Sequence, residues 1–150
     1  MYESLTQLIN KLADDEYGTW IIDRESKGTI DDPIHVPFVD YSRAVTELER
    51  AIYGFVDEHK EYGLNMYADI MAANGIDWSW ESMSKADISN ADGKLIMALL
   101  VGALRADRFS EGTFLGFCEG GTVLRWLNRL QEIDAERIKN NNSFAGMTGV

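Results

Sequence analysis

The stretch Leu95–Leu104, LIMALLVGAL, is the longest apolar run in the chain, and it decides the fold. A membrane span needs about twice this length, so the run predicts a helix inside a protein core. A helix that is apolar on most sides is covered on most sides. We therefore expect a buried central helix over about residues 90–107, with the other elements packed around it.

Amphipathic stretches on both sides of this run predict the helices that cover it. In each stretch apolar residues recur at three- and four-residue steps, the period of one helix face. Ser4 is the expected N-cap of the first helix and Ser42 that of the clearest one. The expected helices span residues 4–15, 42–59, 65–74, 113–118 and 122–139, with a further turn around 81–85.

A small β-hairpin near residues 20–38 is the one extended element that the pattern suggests. Trp20–Ile22 is a short β-like run, and Ile34–Phe38 is the next candidate for extended chain. Pro37 has no amide hydrogen to donate, so its segment is an edge strand or no strand.

Length and composition indicate one domain. The 150 residues are 45% hydrophobic and 26% charged, as in globular proteins. We predict a mainly α, single compact domain of five or six helices over residues 1–139, and a flexible polar tail over residues 140–150. The single cysteine, Cys118, suits a reducing compartment. The N-terminus lacks the pattern of a signal peptide, so we expect a cytoplasmic protein.

The negative charge is unevenly distributed, and it restricts the expected partners. Residues 1–100 carry the whole net charge of −11, while residues 101–150 sum to zero. Such a surface repels nucleic acid phosphates, so direct DNA or RNA binding is not expected. It attracts basic protein surfaces, including those that hold nucleic acid. Simple solubility is the alternative explanation.

Acidic clusters and two tryptophans form the candidate surface for such a partner. Trp78 and Trp80 stand two residues apart, so both rings face one side of an extended chain. Large rings with acidic neighbours are typical of protein-binding hot spots. The alternative is that both rings cover one edge of the core. The candidate partner-binding residues are Asp14, Asp15, Glu16, Asp31, Asp32, Asp77, Trp78, Trp80 and Glu81.

Two arginines at the end of the central helix form a second candidate site. The helix dipole favours cations there, and pairing of Arg105 with Glu111 or Asp107 would fix the following turn. Alternatively Arg105 and Arg108, with Glu111 beside them, form a fork for a phosphate or carboxylate. Internal pairing predicts that the guanidinium groups are occupied. An anion site predicts that they line an open pocket.

Other residues with catalytic or metal-binding chemistry form no recognisable motif. His35 and His59 lack the spacing of a metal site, and the acids lack EF-hand alternation. No metal and no cofactor are expected. Cys118 lies in an apolar segment and is expected to be a core residue. No serine stands in a nucleophile motif, so no catalytic residue is predicted and a non-enzymatic role is favoured.

The stretch ALLVGALRADRFSEGTFLGFCEGGTVLRWLNRLQEID carries the densest pattern in the chain. An apolar helix leads into Arg-x-Asp-Arg-Phe, a small residue, an acid and a glycine, and a later helix carries Trp-Leu-x-Arg-Leu. This pattern resembles a family of small uncharacterised bacterial proteins that also occur in mobile elements. Ser110 stands where that family commonly has cysteine, which argues against catalysis or metal binding there. The matching residues are Arg105, Asp107, Arg108, Phe109, Glu111, Gly112, Gly121, Leu127, Arg129 and Leu130.

The resemblance implies a shared fold and a link to mobile genetic material, but no activity. The first function predicted is a non-enzymatic acidic protein that binds a basic protein partner. One version is a mobile-element inhibitor of a nucleic-acid-binding host-defence protein, acting by charge mimicry. The alternative is a small-anion or nucleotide binder, or a minor enzyme, that uses Arg105 and Arg108. A purely structural helical dimer is a third hypothesis. Membrane binding is not expected, and the oligomeric state is left open.

Overall fold

Helices make up most of the chain, as predicted. The structure, a computed structural model, describes the backbone of residues 1–148 and the side chains of residues 1–141. Two short 3₁₀ turns, Lys60–Tyr62 and Leu64–Met66, precede the fourth helix. The elements are α1 (Glu3–Thr6), α2 (Ile9–Ala13), β1 (Gly18–Ile21), β2 (Phe38–Tyr41), α3 (Arg43–Glu58), α4 (Tyr67–Ala73), α5 (Trp80–Lys85), α6 (Gly93–Phe109), α7 (Thr113–Glu119) and α8 (Thr122–Thr148).

The apolar run Leu95–Leu104 lies in α6, and every one of its residues is buried. Helices α3, α4, α7 and α8 pack around α6, which confirms the predicted single compact domain around a central helix. The Asp92 carboxylate accepts a hydrogen bond from the backbone N–H of Leu95 at 2.9 Å and so caps the start of α6. None of the described helices has both the length and the apolar content of a membrane span.

The caps of the first helices were predicted with mixed success. Ser42 caps α3 as expected, because its hydroxyl accepts a hydrogen bond from the Val45 N–H at 3.2 Å. The prediction that Ser4 caps the first helix was wrong. Residue 4 lies inside α1, because the N–H of Tyr2 donates to the Asp134 carboxylate at 2.9 Å and holds the chain start against α8.

The hairpin exists, but its strands are shifted from the predicted positions. In the observed register Gly18 pairs with Tyr41 and Ile21 pairs with Phe38. The prediction that the second strand spans residues 34–38 was therefore largely wrong. Pro37 cannot donate to a ladder, and β2 begins directly after it.

The last helix is longer than its apolar stripe predicts. Helix α8 continues to Thr148, whereas the pattern placed its end near Lys139. The polar residues after 139 carry no apolar stripe, so the sequence offered no reason to extend the helix. The predicted flexible tail, residues 140–150, falls on the end of α8 and on residues outside those described.

Candidate functional site

The turn after α6 fastens the hairpin to the helical core through the Asp107 carboxylate. Its Oδ1 accepts hydrogen bonds from the Tyr41 hydroxyl at 2.8 Å, the Gly112 N–H at 3.1 Å and the Phe114 N–H at 3.0 Å. Burial, followed by this hydrogen bond to a carboxylate, raises the pKa of the Tyr41 phenol above its usual range. Asp107 therefore joins β2, the turn and the start of α7.

Glu111 and Gly112 complete this junction. The Glu111 Oε1 accepts a hydrogen bond from the Val39 N–H at 3.0 Å. Gly112 has a φ of +88°, and a Cβ at this position would overlap the indole ring of Trp20. Glycine is therefore required both by the backbone and by the packing of the hairpin. The Glu111 carboxylate thus binds the hairpin, and its part in an anion site remains a prediction.

The two arginines of this segment line a cavity of about 350 Å³, which we call the arginine pocket. Arg105 and Arg108 are three residues apart on α6 and so share one side of the helix. The Arg105 guanidinium carbon lies 5.7 Å from the ring centroid of Tyr53, a cation–π contact. The pocket is lined by Tyr53, Val56, Leu64, Asn65, Tyr67, Val101, Arg105, Arg108 and Phe109.

Within the described part of the chain, neither guanidinium forms an ion pair with a carboxylate. The predicted pairing of Arg105 with Glu111 or Asp107 was therefore wrong. Instead, Glu111 Oε1 accepts from the Val39 N–H and Asp107 Oδ1 accepts from the Tyr41 hydroxyl, so both carboxylates are held at the hairpin. The arginines have the arrangement expected of the other hypothesis, in which they border an open pocket.

A second cavity of about 420 Å³, which we call the tryptophan groove, lies beside the arginine pocket. Its walls are mainly apolar. Trp78 is 40% exposed and Trp80 is 48% exposed, so both rings reach the surface and both line this one groove. The groove is lined by Trp78, Ser79, Trp80, Met83, Ala106, Phe109, Ser110, Thr113 and Phe117.

Contacts with the core hold the two indole rings in place. The Nε1–H of Trp78 donates to the backbone oxygen of Gly102 in α6 at 2.9 Å. The Trp80 ring packs on the buried Phe117 ring with a centroid separation of 4.3 Å. It also lies over Gly116, where a Cβ would come within 2.9 Å of the ring. Each tryptophan therefore combines a fixed inner part with an exposed outer part.

Phe109 borders both cavities and joins them into one face. Its ring is 82% exposed, although it is the last residue of a buried helix. The Trp78 ring contacts Phe109 edge to face at 6.0 Å and contacts Tyr67, which lines the arginine pocket, at 5.3 Å. A continuous row of aromatic rings thus runs from the arginine pocket to the tryptophan groove.

The acidic residues that were predicted to bind a protein partner line neither of the two cavities. Asp15 accepts hydrogen bonds from the Tyr17 N–H and the Ser42 hydroxyl, and Asp32 accepts one from the Lys27 N–H. Glu81 forms an ion pair with Lys85 at 2.9 Å. The remaining predicted acids are exposed, namely Asp14, Glu16, Asp31 and Asp77.

Residues with other reactive chemistry have structural surroundings. Cys118 is buried, and desolvation by burial raises the pKa of its thiol to about 12. His59 stacks on Phe55 with the ring centroids 4.2 Å apart, and His35 is exposed in the hairpin loop. Among the residues that the structure describes, no group of three or more His, Cys, Asp or Glu side chains is arranged to hold a metal ion.

A family model matches residues 2–136, and its description is a family of unknown function, DUF6508. The chain belongs to this family. The DUF6508 match includes both cavities and every element from α1 into α8. No curated protein and no solved structure matches the chain. Membership in this family therefore assigns no activity to the chain.

Several lining residues of this DUF6508 site were not predicted from the sequence. Tyr53 follows the buried Ile52 on α3, and Asn65 and Tyr67 belong to a segment that was expected only to form a helix. Phe109 carried the one usable signal, since a large apolar residue directly after Arg108 at a helix end has no evident core to enter.

Proposed function

We propose that the chain is a non-enzymatic binding protein whose arginine pocket holds the anionic group of a ligand. One observation carries this proposal: two arginines that form no ion pair with any described carboxylate line one aromatic-walled cavity. Its volume of about 350 Å³ falls within the size range of small-ligand sites.

The lining groups suit a phosphate or carboxylate attached to an aromatic or apolar body. A planar guanidinium binds either anion through two parallel hydrogen bonds. Tyr53, Tyr67 and Phe109 supply ring surfaces for the rest of the ligand, and the Asn65 amide is both donor and acceptor. The net charge of −11 repels free inorganic anions. The apolar body must therefore supply much of the binding energy.

Isothermal titration calorimetry with phenyl phosphate as the ligand tests the proposal. Hydrogen bonds to charged groups contribute about 1.5–3 kcal/mol, so we expect Arg105→Gln to weaken binding roughly tenfold or more. Arg108 is more exposed, and Arg108→Gln should have a smaller effect. Inorganic phosphate should bind more weakly than phenyl phosphate.

The matched control is Arg24→Gln, which removes the same charge from the exposed hairpin loop away from the pocket. This variant should bind phenyl phosphate like the unmodified chain. Equal weakening in all three variants would mean that the net charge, not the pocket, governs binding. That outcome, or no binding by the unmodified chain, contradicts the proposal.

A second candidate function is supported by the exposed acids Asp14, Glu16, Asp31 and Asp77, which form no ion pair in the described part of the chain. They suit a basic protein partner in the cytoplasm. If the family resemblance to mobile-element proteins extends to function, that partner is a nucleic-acid-binding defence protein of a bacterial host.

A pull-down from bacterial lysate, washed with rising salt, tests this second candidate. A basic protein that elutes as the salt rises, and that a variant with these four acids changed to lysine does not capture, supports it. Capture of the same protein by the charge-reversed variant contradicts it. The open arginine pocket favours the first candidate, because charge mimicry has no use for arginines that form no ion pair with the described residues.

A further inference from the structure

We infer that the tryptophan groove and the arginine pocket together dock a segment of a partner protein in which an apolar side chain stands next to an aspartate or glutamate. The apolar side chain fills the groove, and the carboxylate lies at Arg105 and Arg108. The acidic half of this inference rests on the proposed anion site, whereas the apolar half rests on the groove.

Phe109 is the first reason to expect a macromolecular partner. Phe109 lines both cavities and is 82% exposed. A small ligand in either cavity would cover one edge of it and leave the rest in water. A partner with a surface of its own covers the ring completely, and exposed apolar rings of this kind mark interaction sites.

The polar groups of the groove decide between an apolar side chain and a nucleobase. The Trp78 N–H is directed inward to the Gly102 oxygen, so the apolar part of the ring remains at the surface. The Ser79 hydroxyl accepts from the Ser82 N–H at 3.2 Å, and the Thr113 hydroxyl donates to the Ser110 oxygen at 2.7 Å. With the Ser110 hydroxyl these are few polar groups in a mainly apolar wall, so a base or a sugar would lose most of its hydrogen bonds to water here. A hydrocarbon side chain loses none.

Charge gives the second part of the partner's chemistry. Arg105 and Arg108 line the arginine pocket, which shares Phe109 with the groove, in a chain whose net charge is −11. A local pair of cations in such a chain selects an acidic group at one place. The combination of Trp, Tyr and Arg side chains on this face is also the composition of binding hot spots.

Selection from a random phage-displayed peptide library, with the intact chain immobilised, tests the inference. The enriched peptides should share an aromatic or aliphatic residue beside an aspartate or glutamate. Synthetic copies should bind Phe109→Ala roughly thirtyfold more weakly, as expected for a hot-spot side chain. Arg105→Gln should weaken them by about tenfold. Ile138→Ala, which removes an exposed apolar side chain from α8, should bind as the unmodified chain does.

Folding of the variants is checked separately. Phe109 is mostly exposed, so its replacement should leave the denaturant midpoint unchanged. Gly116→Ala provides a second variant, since the added methyl group displaces the Trp80 ring while favouring the helix. Peptide binding should fall in this variant, and its denaturant midpoint measures separately what the displaced ring costs in stability.

Three results would overturn the inference. One is an enriched peptide set that binds Phe109→Ala as tightly as the unmodified chain, or that shows no acid requirement. Another is concentration-dependent self-association that Phe109→Ala abolishes, which assigns the face to a second copy. The third is tight binding of dodecanoate with the same variant sensitivity, which assigns it to a small amphiphile. If the peptides fail the first test but phenyl phosphate still binds, the docking inference is wrong and the proposed anion site is retained. If phenyl phosphate does not bind either, both the docking inference and the proposed anion site are wrong.

Discussion

Replacing Asp107 by alanine should destabilise the fold more than any other single change at an ionisable residue of the site. The carboxylate accepts three hydrogen bonds, from the Tyr41 hydroxyl and from the Gly112 and Phe114 amides. A hydrogen bond to a charged group contributes about 1.5–3 kcal/mol. Asp107 is half-buried, so water replaces part of the loss, and we expect Asp107→Ala to cost about 3 kcal/mol in the free energy of unfolding.

A double-mutant cycle isolates the bond that joins the hairpin to the helix. Tyr41→Phe removes the hydroxyl that donates to Asp107 at 2.8 Å and accepts from the Leu115 N–H at 3.1 Å. We expect a coupling energy between Asp107 and Tyr41 of about 1–2 kcal/mol. Asp107→Asn keeps the shape and one acceptor oxygen, so it should cost less than alanine does.

Urea denaturation followed by circular dichroism at 25 °C measures all four corners of the cycle. The unfolding slope should stay constant, because the same surface is exposed in each variant. If Asp107→Ala costs less than about 1 kcal/mol, or if the two changes are additive, then the carboxylate does not hold the hairpin on the core and the account of this turn is wrong.

Three further outcomes follow from the structure. Gly112→Ala should destabilise the chain by about 1–3 kcal/mol in urea denaturation, because φ is +88° and the methyl group meets Trp20. The pKa values of Tyr41 and Cys118 are raised in the folded chain, so the unfolded chain loses these protons at lower pH. The free energy of unfolding should therefore fall as pH rises above about 9. A free energy of unfolding that stays constant up to about pH 11 would contradict this prediction. Arg105→Lys should leave stability unchanged but weaken phenyl phosphate binding several-fold, because lysine keeps the charge and loses the planar fork; equal calorimetric affinities would contradict it.

The helical fold could be predicted because its signals are local. The apolar run Leu95–Leu104 specifies a buried helix, and Ser42 marks the start of α3 through a side chain that reaches only three residues ahead. Ser4 failed as a cap because a distant residue, Asp134, determines how the chain begins. The strands are shifted from their predicted positions because Pro37 cannot donate to a ladder, and because distant Glu111 accepts a hydrogen bond from the Val39 N–H in β2.

The candidate site could be predicted only in part, because its composition depends on which charged side chains form contacts elsewhere in the fold. From the sequence, Arg105 had two carboxylates nearby, and pairing with Glu111 or Asp107 was the simplest expectation. Long-range hydrogen bonds from Val39 and Tyr41 hold those carboxylates at the hairpin instead. No local pattern encodes these partners, which lie about 70 residues away.

Arg105 and Arg108 form no ion pair in the described part of the chain, and the reason is not a shortage of acids. The chain has 25 acidic and 14 basic residues, so acidic side chains outnumber the basic ones with which they could form ion pairs. The helix dipole accounts for a positive charge at the end of α6, but lysine or an ion-paired arginine would serve it equally well. It does not account for guanidinium groups that border a cavity beside an exposed phenylalanine. Recognition of an anion with an apolar neighbour accounts for both features together, and this is why the arginine pocket, rather than the dispersed acids, is the place to begin testing what the chain binds.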